Sequence, residues 1–144
     1  MADREYKLSI SRPARNDLAD IRDYTIETHG IDAADRYDAL LRQALKDLRN
    51  DPFRPGSKER PEIAAKVRSY HIALSRDRAG SNVKYPRHLV LYYLPSNNEV
   101  TVSRVLHDAR DLRRHMQGQW LKGPPEGEKR QQRQRSKSRQ EPEQ

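Results

Sequence analysis

Two stretches decide the fold: Arg87-His88-Leu89-Val90-Leu91-Tyr92-Tyr93-Leu94 and Arg104-Val105-Leu106-His107-Asp108-Ala109-Arg110-Asp111-Leu112. The first is nearly continuous in apolar residues, as a central strand covered on both faces requires. The second reads as the end of a buried strand, a histidine at its exit and a capped helical turn. Pro95-Ser96-Asn97-Asn98 links the first stretch to a strand over Glu99–Leu106. Val100, Val102 and Leu106 are expected on one face of that strand. A short helix is expected over Asp108–Met116, with Asp108 as its cap.

Working outward, Tyr6-Lys7-Leu8-Ser9-Ile10 alternates apolar and polar residues, the pattern of a half-buried strand. Ser11 can cap a helix, and Pro13 is tolerated in its first turn. Ala14, Leu18, Ile21 and Tyr24 recur at spacings of three and four and form one apolar face. Gly30 ends that helix. Asp32 is then expected to cap a second helix, with Ala34, Tyr37, Leu41, Ala44 and Leu48 on its apolar face. Asn50-Asp51-Pro52 closes it, because the residue before proline is pushed out of the helical region. Two helices joined so briefly form an antiparallel hairpin. Phe53–Lys66 reads as a proline-rich loop with one helical turn near Glu62–Ala65. Val67–Leu74 reads as a strand with Tyr70, Ile72 and Leu74 on one face, and Ser75–Pro86 as a polar loop.

The fold class is therefore α+β: an N-terminal strand, an antiparallel helical hairpin, a three-strand antiparallel meander and a short C-terminal helix. Residues 5–118 are expected to form the domain. Residues 119–144 are expected to be a disordered basic tail of low complexity, because they lack the apolar surface that would offset ordering entropy. Trp120 and Leu121 are the large apolar residues at its start.

The chain of 144 residues has no cysteine and a net charge of +8. Residues 123–144 hold six basic and four acidic residues, so most of the excess lies on the body. A basic body favours a polyanionic partner: nucleic acid, an enzyme bound to it, or an acidic protein. No thiolate zinc site or disulfide is available. The N-terminus shows no secretory h-region, and no apolar run approaches the length that spans a bilayer, so a cytoplasmic protein without membrane contact is expected.

His107 is the sharpest candidate for chemistry. At a strand exit it can act as general acid or base, or it can hold the strand-to-helix corner through hydrogen bonds. Arg68, Arg87 and Arg104 sit on or beside strands and could form one basic patch for phosphates or an acidic segment. Solvated charge and pairing with Asp or Glu are their plainer roles. Several of His29, His71, His88, His107 and His115 could meet on the sheet. Yet no HxxxH or HExxH spacing occurs, so neither metal nor cofactor is expected.

The order and spacing of Ala14-Arg15-Asn16-Asp17-Leu18-Ala19-Asp20-Ile21, Ala34-Asp35-Arg36-Tyr37, Val67-Arg68-Ser69-Tyr70, Arg87–Tyr93 and RVLHDARDL resemble the ParE branch of the RelE/ParE toxins. The resemblance covers about residues 6–116. It implies the toxin of a type II toxin–antitoxin pair, neutralised by a ParD-like antitoxin with an acidic C-terminal segment. ParE-like members usually inhibit DNA gyrase, which implies a growth-inhibiting poison that binds protein and is not an enzyme. Partner-binding roles would fall on Arg68, Arg87, Arg104, His107 and Arg110. RelE-like members instead cleave messenger RNA on the ribosome, and His107 would then be the catalytic candidate. A basic nucleic-acid-binding module without toxicity is the third reading. The Ser75–Arg87 loop, longer than the short turn of many members, and the basic tail depart from the family pattern.

The tail carries three prolines (Pro124, Pro125, Pro142) and no periodic apolar face. Truncation after Lys122 should leave the thermal unfolding midpoint almost unchanged. A drop of more than a few degrees in calorimetry would show that the tail is docked.

Overall fold

A computed structural model describes residues 6–108. The helix expected beyond Asp108, the candidate Arg110 and the tail from 119 lie outside the described residues. Strand β1 (Lys7–Ile10) leads into helix α1 (Arg12–His29) and helix α2 (Ile31–Asn50). A two-strand ribbon follows, β2 (Lys58–Glu59) and β3 (Arg68–His71). A 3₁₀ turn (Ile72–Ser75) and a short helix α3 (Arg76–Ala79) come next, before strands β4 (His88–Ser96) and β5 (Glu99–His107). The five strands form one sheet in the order β1-β5-β4-β3-β2. β1 runs parallel to β5, and the other neighbours are antiparallel. The α+β class, the hairpin and the β3-β4-β5 meander are as the sequence implies.

Local chemistry sets the helix ends. Ser11 Oγ accepts from Ala14 N at 3.1 Å and caps α1, with Pro13 in its first turn. Gly30, at φ 94°, joins the two helices alone: its N–H donates to Ile26 O, and its carbonyl accepts from Ala34 N. Few side chains tolerate that backbone, so glycine suits the joint. The second helix therefore starts one residue before Asp32. Asp32 lies in its first turn and is not its cap, a correction to the expected boundary.

The helices cover one face of the sheet. Ala14, Leu40, Leu41, Ala44, Leu45 and Leu48 pack with Tyr70, Ile72, Val90, Tyr92, Val100, Val102 and Val105. On the other face Ile63 and Val67 cover Leu89, Leu91 and Leu106. Burial on both faces explains the unbroken run Leu89–Tyr92. Tyr24 instead lies exposed near the hairpin tip, as does Ile31, so the apolar face of α1 ends before it.

Three further corrections have physical causes. The alternation of Val67–Leu74 suggested one strand, but the strand stops at His71. His71 Nδ1 accepts from Ala73 N and turns the chain. Ser75 Oγ then donates to Asp47 Oδ2 at 2.6 Å, and Arg78 Nε to Asp47 Oδ1 at 2.9 Å. Asp47 is fully buried on α2, and Gln43 Nε2 also donates to it. A buried carboxylate demands such partners, and meeting them winds Ile72–Ala79 against α2. Leu74 is thereby exposed rather than in the core. Part of the expected Ser75–Pro86 loop becomes α3. Second, the proline-rich loop contributes the small strand β2. Third, Val105 joins Val100 and Val102, while Leu106 faces the other way. The register moves from Tyr92↔Val102 to Leu91↔Arg104, so Ser103 is an extra residue. Such a bulge reverses the alternation of everything beyond it.

Helix α1 secures the bulge. Ser11 Oγ donates to Ser103 O at 2.8 Å, and Ser11 N donates to Val102 O. Asp17 accepts from Val105 N at 2.9 Å and takes a two-pronged contact from Arg104, Nε at 2.8 Å and Nη2 at 2.9 Å. Replacing Asp17→Ala takes the carboxylate from a mostly buried guanidinium and the acceptor from the Val105 N–H, which should cost about 3 kcal/mol. Urea unfolding measures this, and a loss below about 0.5 kcal/mol, the range of ordinary surface changes, would show that the bulge does not depend on Asp17.

Candidate functional site

The strand ends bring three histidines together. His88 is registered opposite His107, and His71 opposite Leu89. The His88 and His107 rings meet edge to face, with centroids 5.8 Å apart. Tyr37 of α2 meets His88 in the same way at 5.6 Å.

Hydrogen bonds fix the protons of this group. Tyr37 Oη accepts the Arg87 backbone N–H at 2.9 Å. Its own proton is then free for His88 Nδ1, 2.7 Å away. That places the ring proton of neutral His88 on Nε2. His71 Nδ1 accepts from Ala73 N, so His71 Nε2–H is the donor to Asp108 Oδ2 at 2.9 Å. Asp108 N–H donates to Arg87 O, tying the exit of β5 to the entry of β4. His107 Nδ1 lies 3.7 Å from Asp108 Oδ1, too far for a hydrogen bond but close enough for attraction when the ring is charged.

Burial pushes the Tyr37 hydroxyl up to about 12, a rise to which the nearby Asp108 charge adds. For Asp108, burial acts upward. The His71 hydrogen bond and the charges of His71, His107 and Arg87 outweigh it together and hold the carboxyl below its ordinary value. The cluster can thus orient rings and hold charge. Among the described residues, no group of three or more His, Cys, Asp or Glu is arranged to hold a metal ion.

The structure does not assemble the expected patch of three arginines. Arg104 is engaged by Asp17, and both side chains are largely buried. Arg68 Nη2 donates to Ser57 Oγ at 2.8 Å, and the guanidinium lies 5.0 Å from the Phe53 ring centre and 3.7 Å from Glu59. Arg68 is registered with Tyr92, a residue of the helix face, whereas Arg104 is registered with Leu91 of the opposite face. Arg87 is exposed beside the histidines, just before β4 and five residues from Tyr92, the partner of Arg68. Of the candidates among the described residues, only His107 and Arg87 share one neighbourhood. Tyr37 and His71 complete that neighbourhood. Sequence reading placed Tyr37 on the apolar stripe of α2 and offered no signal for its polar end. The pairing of His71 with Asp108 spans 37 residues and needs the sheet register.

At this end of the sheet the pH dependence of stability follows from Tyr37 and Asp108. Tyr37 holds its proton beyond the ordinary value of 10, so its contribution is complete below that pH and is lost as pH rises from 10 towards about 12. Asp108 behaves oppositely: its contribution is present above the ordinary carboxyl value and is lost as pH falls through its lowered one. Phenolate absorbance should show Tyr37 titrating late, as does the buried Tyr92, and Tyr37→Phe should remove the Tyr37 share of that late phase. If Tyr37 titrates with the exposed tyrosines, the buried network is not closed in solution.

Comparison with curated proteins finds no match. Among solved structures, the chain resembles a chromosomal ParDE toxin–antitoxin system from P. aeruginosa with a TM-score of 0.54 at 17% identity, over 72% of this chain and 96% of that one. A toxin–antitoxin complex, RelBE2 from Mycobacterium tuberculosis, aligns at 21% identity and a TM-score of 0.46, over 72% and 92% of the two chains. The sequence model of the ParE toxin of the type II toxin–antitoxin system, parDE, matches residues 8–112, from β1 through the histidine cluster. The chain belongs to the ParE toxin family of type II toxin–antitoxin systems.

Proposed function

We propose that this toxin is held inactive by a cognate ParD-like antitoxin with an acidic C-terminal segment, and that it arrests growth by binding DNA gyrase rather than by cutting RNA. The family match over residues 8–112 carries the reading. The commitments of the candidate residues support it. RNA cleavage by 2′-OH attack needs a base, an acid and cations for the phosphate. Arg104 and Arg68 are already engaged within the fold, and the His71 and Tyr37 protons are directed at internal acceptors. Arg87 is the exposed cation of this end and our choice for contact with the antitoxin's acids. His107 then acts as a corner residue that packs on His88.

The imidazole cluster is the observation that favours the ribonuclease alternative. Purified toxin should inhibit gyrase supercoiling and leave ribosome-bound messenger RNA intact. His107→Gln should keep most of the growth arrest on induction, because glutamine still hydrogen-bonds. If His107 moved a proton in catalysis, its loss would cost on the order of 100- to 10,000-fold in rate. A folded His107→Gln protein that no longer arrests growth would move the assignment to RNA cleavage. Co-purification from the native operon without a small acidic partner would remove the antitoxin.

A further inference from the structure

The loop between α3 and β4 presents an aromatic ring that the fold does not use. Tyr85 is 77% exposed, and Lys84 and Arg87 on either side of it are exposed as well. A single exposed aromatic is ordinary on a protein surface. What sets this one apart is the backbone that carries it and the charges beside it.

The backbone is anchored on both sides of the ring. Arg76 Nη1 donates to Val83 O at 3.0 Å and to Lys84 O at 2.9 Å. Val83 packs against the helix-side core, and its N–H donates to Ser81 Oγ. Beyond the ring, Pro86 is buried, the Arg87 N–H donates to Tyr37 Oη, and the Arg87 carbonyl accepts from Asp108 N. Proline fixes its own φ and keeps Tyr85 out of the helical region. Ordering the ring against a ligand therefore costs little, because only its two side-chain torsions remain to be fixed.

The charges beside the ring are of one sign. Among the described residues, neither Lys84 nor Arg87 has a carboxylate within ion-pair distance, whereas Arg22, Arg60, Arg68, Arg78 and Arg104 each do. Asp108, whose carboxyl feels the Arg87 charge, is hydrogen-bonded to His71. Tyr24 at the hairpin tip offers the contrast. It is 64% exposed, but Asp23 and Glu27 stand one and three residues from it on α1. A polyanion is repelled there and attracted at Tyr85.

We propose that Lys84, Tyr85 and Arg87 form a contact for a single nucleic-acid strand, in which one base stacks on the Tyr85 ring and the flanking phosphates meet Lys84 and Arg87. Stacking needs an open ring face on the protein and an unpaired base on the ligand. Each nucleotide within a strand lies between two phosphates, which matches a ring between two cations. Three residues of chain span roughly 10 Å at most, so both cations reach the same nucleotide. An acidic peptide would use the cations and leave the ring face idle. DNA and RNA strands share this chemistry. Arg87 is then a cation for which a phosphate and an antitoxin acid compete. The inference stands on the loop and is independent of the toxin's target.

The test is binding of the full chain to short oligo(dT) and oligo(U), with a DNA duplex and polyglutamate as comparisons. The basic residues of 123–144 supply a background common to all variants. Tyr85→Ala should weaken strand binding at least about fivefold, whereas Tyr85→Phe, which keeps the ring, and Tyr24→Ala should bind as wild type. Lys84→Gln and Arg87→Gln should each lower affinity and reduce the salt slope by about 0.7, the share of one phosphate. In NMR the Tyr85 ring protons of the wild-type chain should shift on saturation, a readout that needs no variant to fold. An effect with one strand only identifies DNA or RNA as the ligand. Wild-type affinity in a folded Tyr85→Ala protein, an unshifted ring, or equal dependence of duplex or polyglutamate binding on Tyr85 would each overturn the assignment.

Discussion

The Asp17 carboxylate is the contact on which the rest of the sheet depends. It takes the Val105 amide and both prongs of Arg104 just beyond the extra residue Ser103. β1 ends opposite Val102, so without α1 the outer edge of β5 would have backbone groups facing outward there. Ser11 and Asp17 replace the missing strand with side-chain oxygens. The bulge they secure sets the parity of the last residues of β5. Val105 therefore enters the helix-side core and Leu106 the opposite one, and His107 arrives opposite His88. The position of the histidine cluster is thus a consequence of one extra residue held by one carboxylate.

A second carboxylate does comparable work at the far end of α2. Asp47 is buried without access to water and draws in Gln43, Ser75 and Arg78. Breaking such a group from its partners is far costlier than its net contribution when satisfied. It fixes the chain between β3 and β4, while Tyr37, ten residues earlier on the same helix, reaches the entry of β4 through Arg87 and His88. Helix α2 therefore governs two regions: the return from β3 and the histidine end. Its buried stripe stabilises the fold, and its polar residues specify where the loops and strand ends go.

This division bears on the arginines. Arg104 and Arg68 look alike in sequence, as cations on strands. In the fold they are held by different elements, one closing the bulge against α1 and the other lying over Phe53. A guanidinium that is mostly buried and paired has little left for a partner. Among the described residues, Arg42, Lys46 and Arg49 on the solvent face of α2 have no carboxylate partner. Sequence periodicity identifies α2 as the clearest amphipathic helix through its apolar side. The polar side carried a signal of equal regularity in Arg42, Lys46 and Arg49.

The sequence by itself determined the elements whose chemistry is local. The Ser11 cap, the helix stop at Gly30, the stripe of α2 and the doubly covered strand Leu89–Tyr92 follow from spacing and burial pattern, and they fix the α+β class. It also carried the ordered motifs that identify the family. What only the tertiary structure decided involves partners distant in the chain. Asp47 bent Val67–Leu74 into a strand and a turn, the Ser103 bulge reversed Leu106, and the register joined His71 to Asp108. The place of β1 beside β5, some 90 residues away, was equally hidden. Each of these depends on satisfying a polar group buried by folding, and a one-dimensional pattern does not show which distant atom will satisfy it.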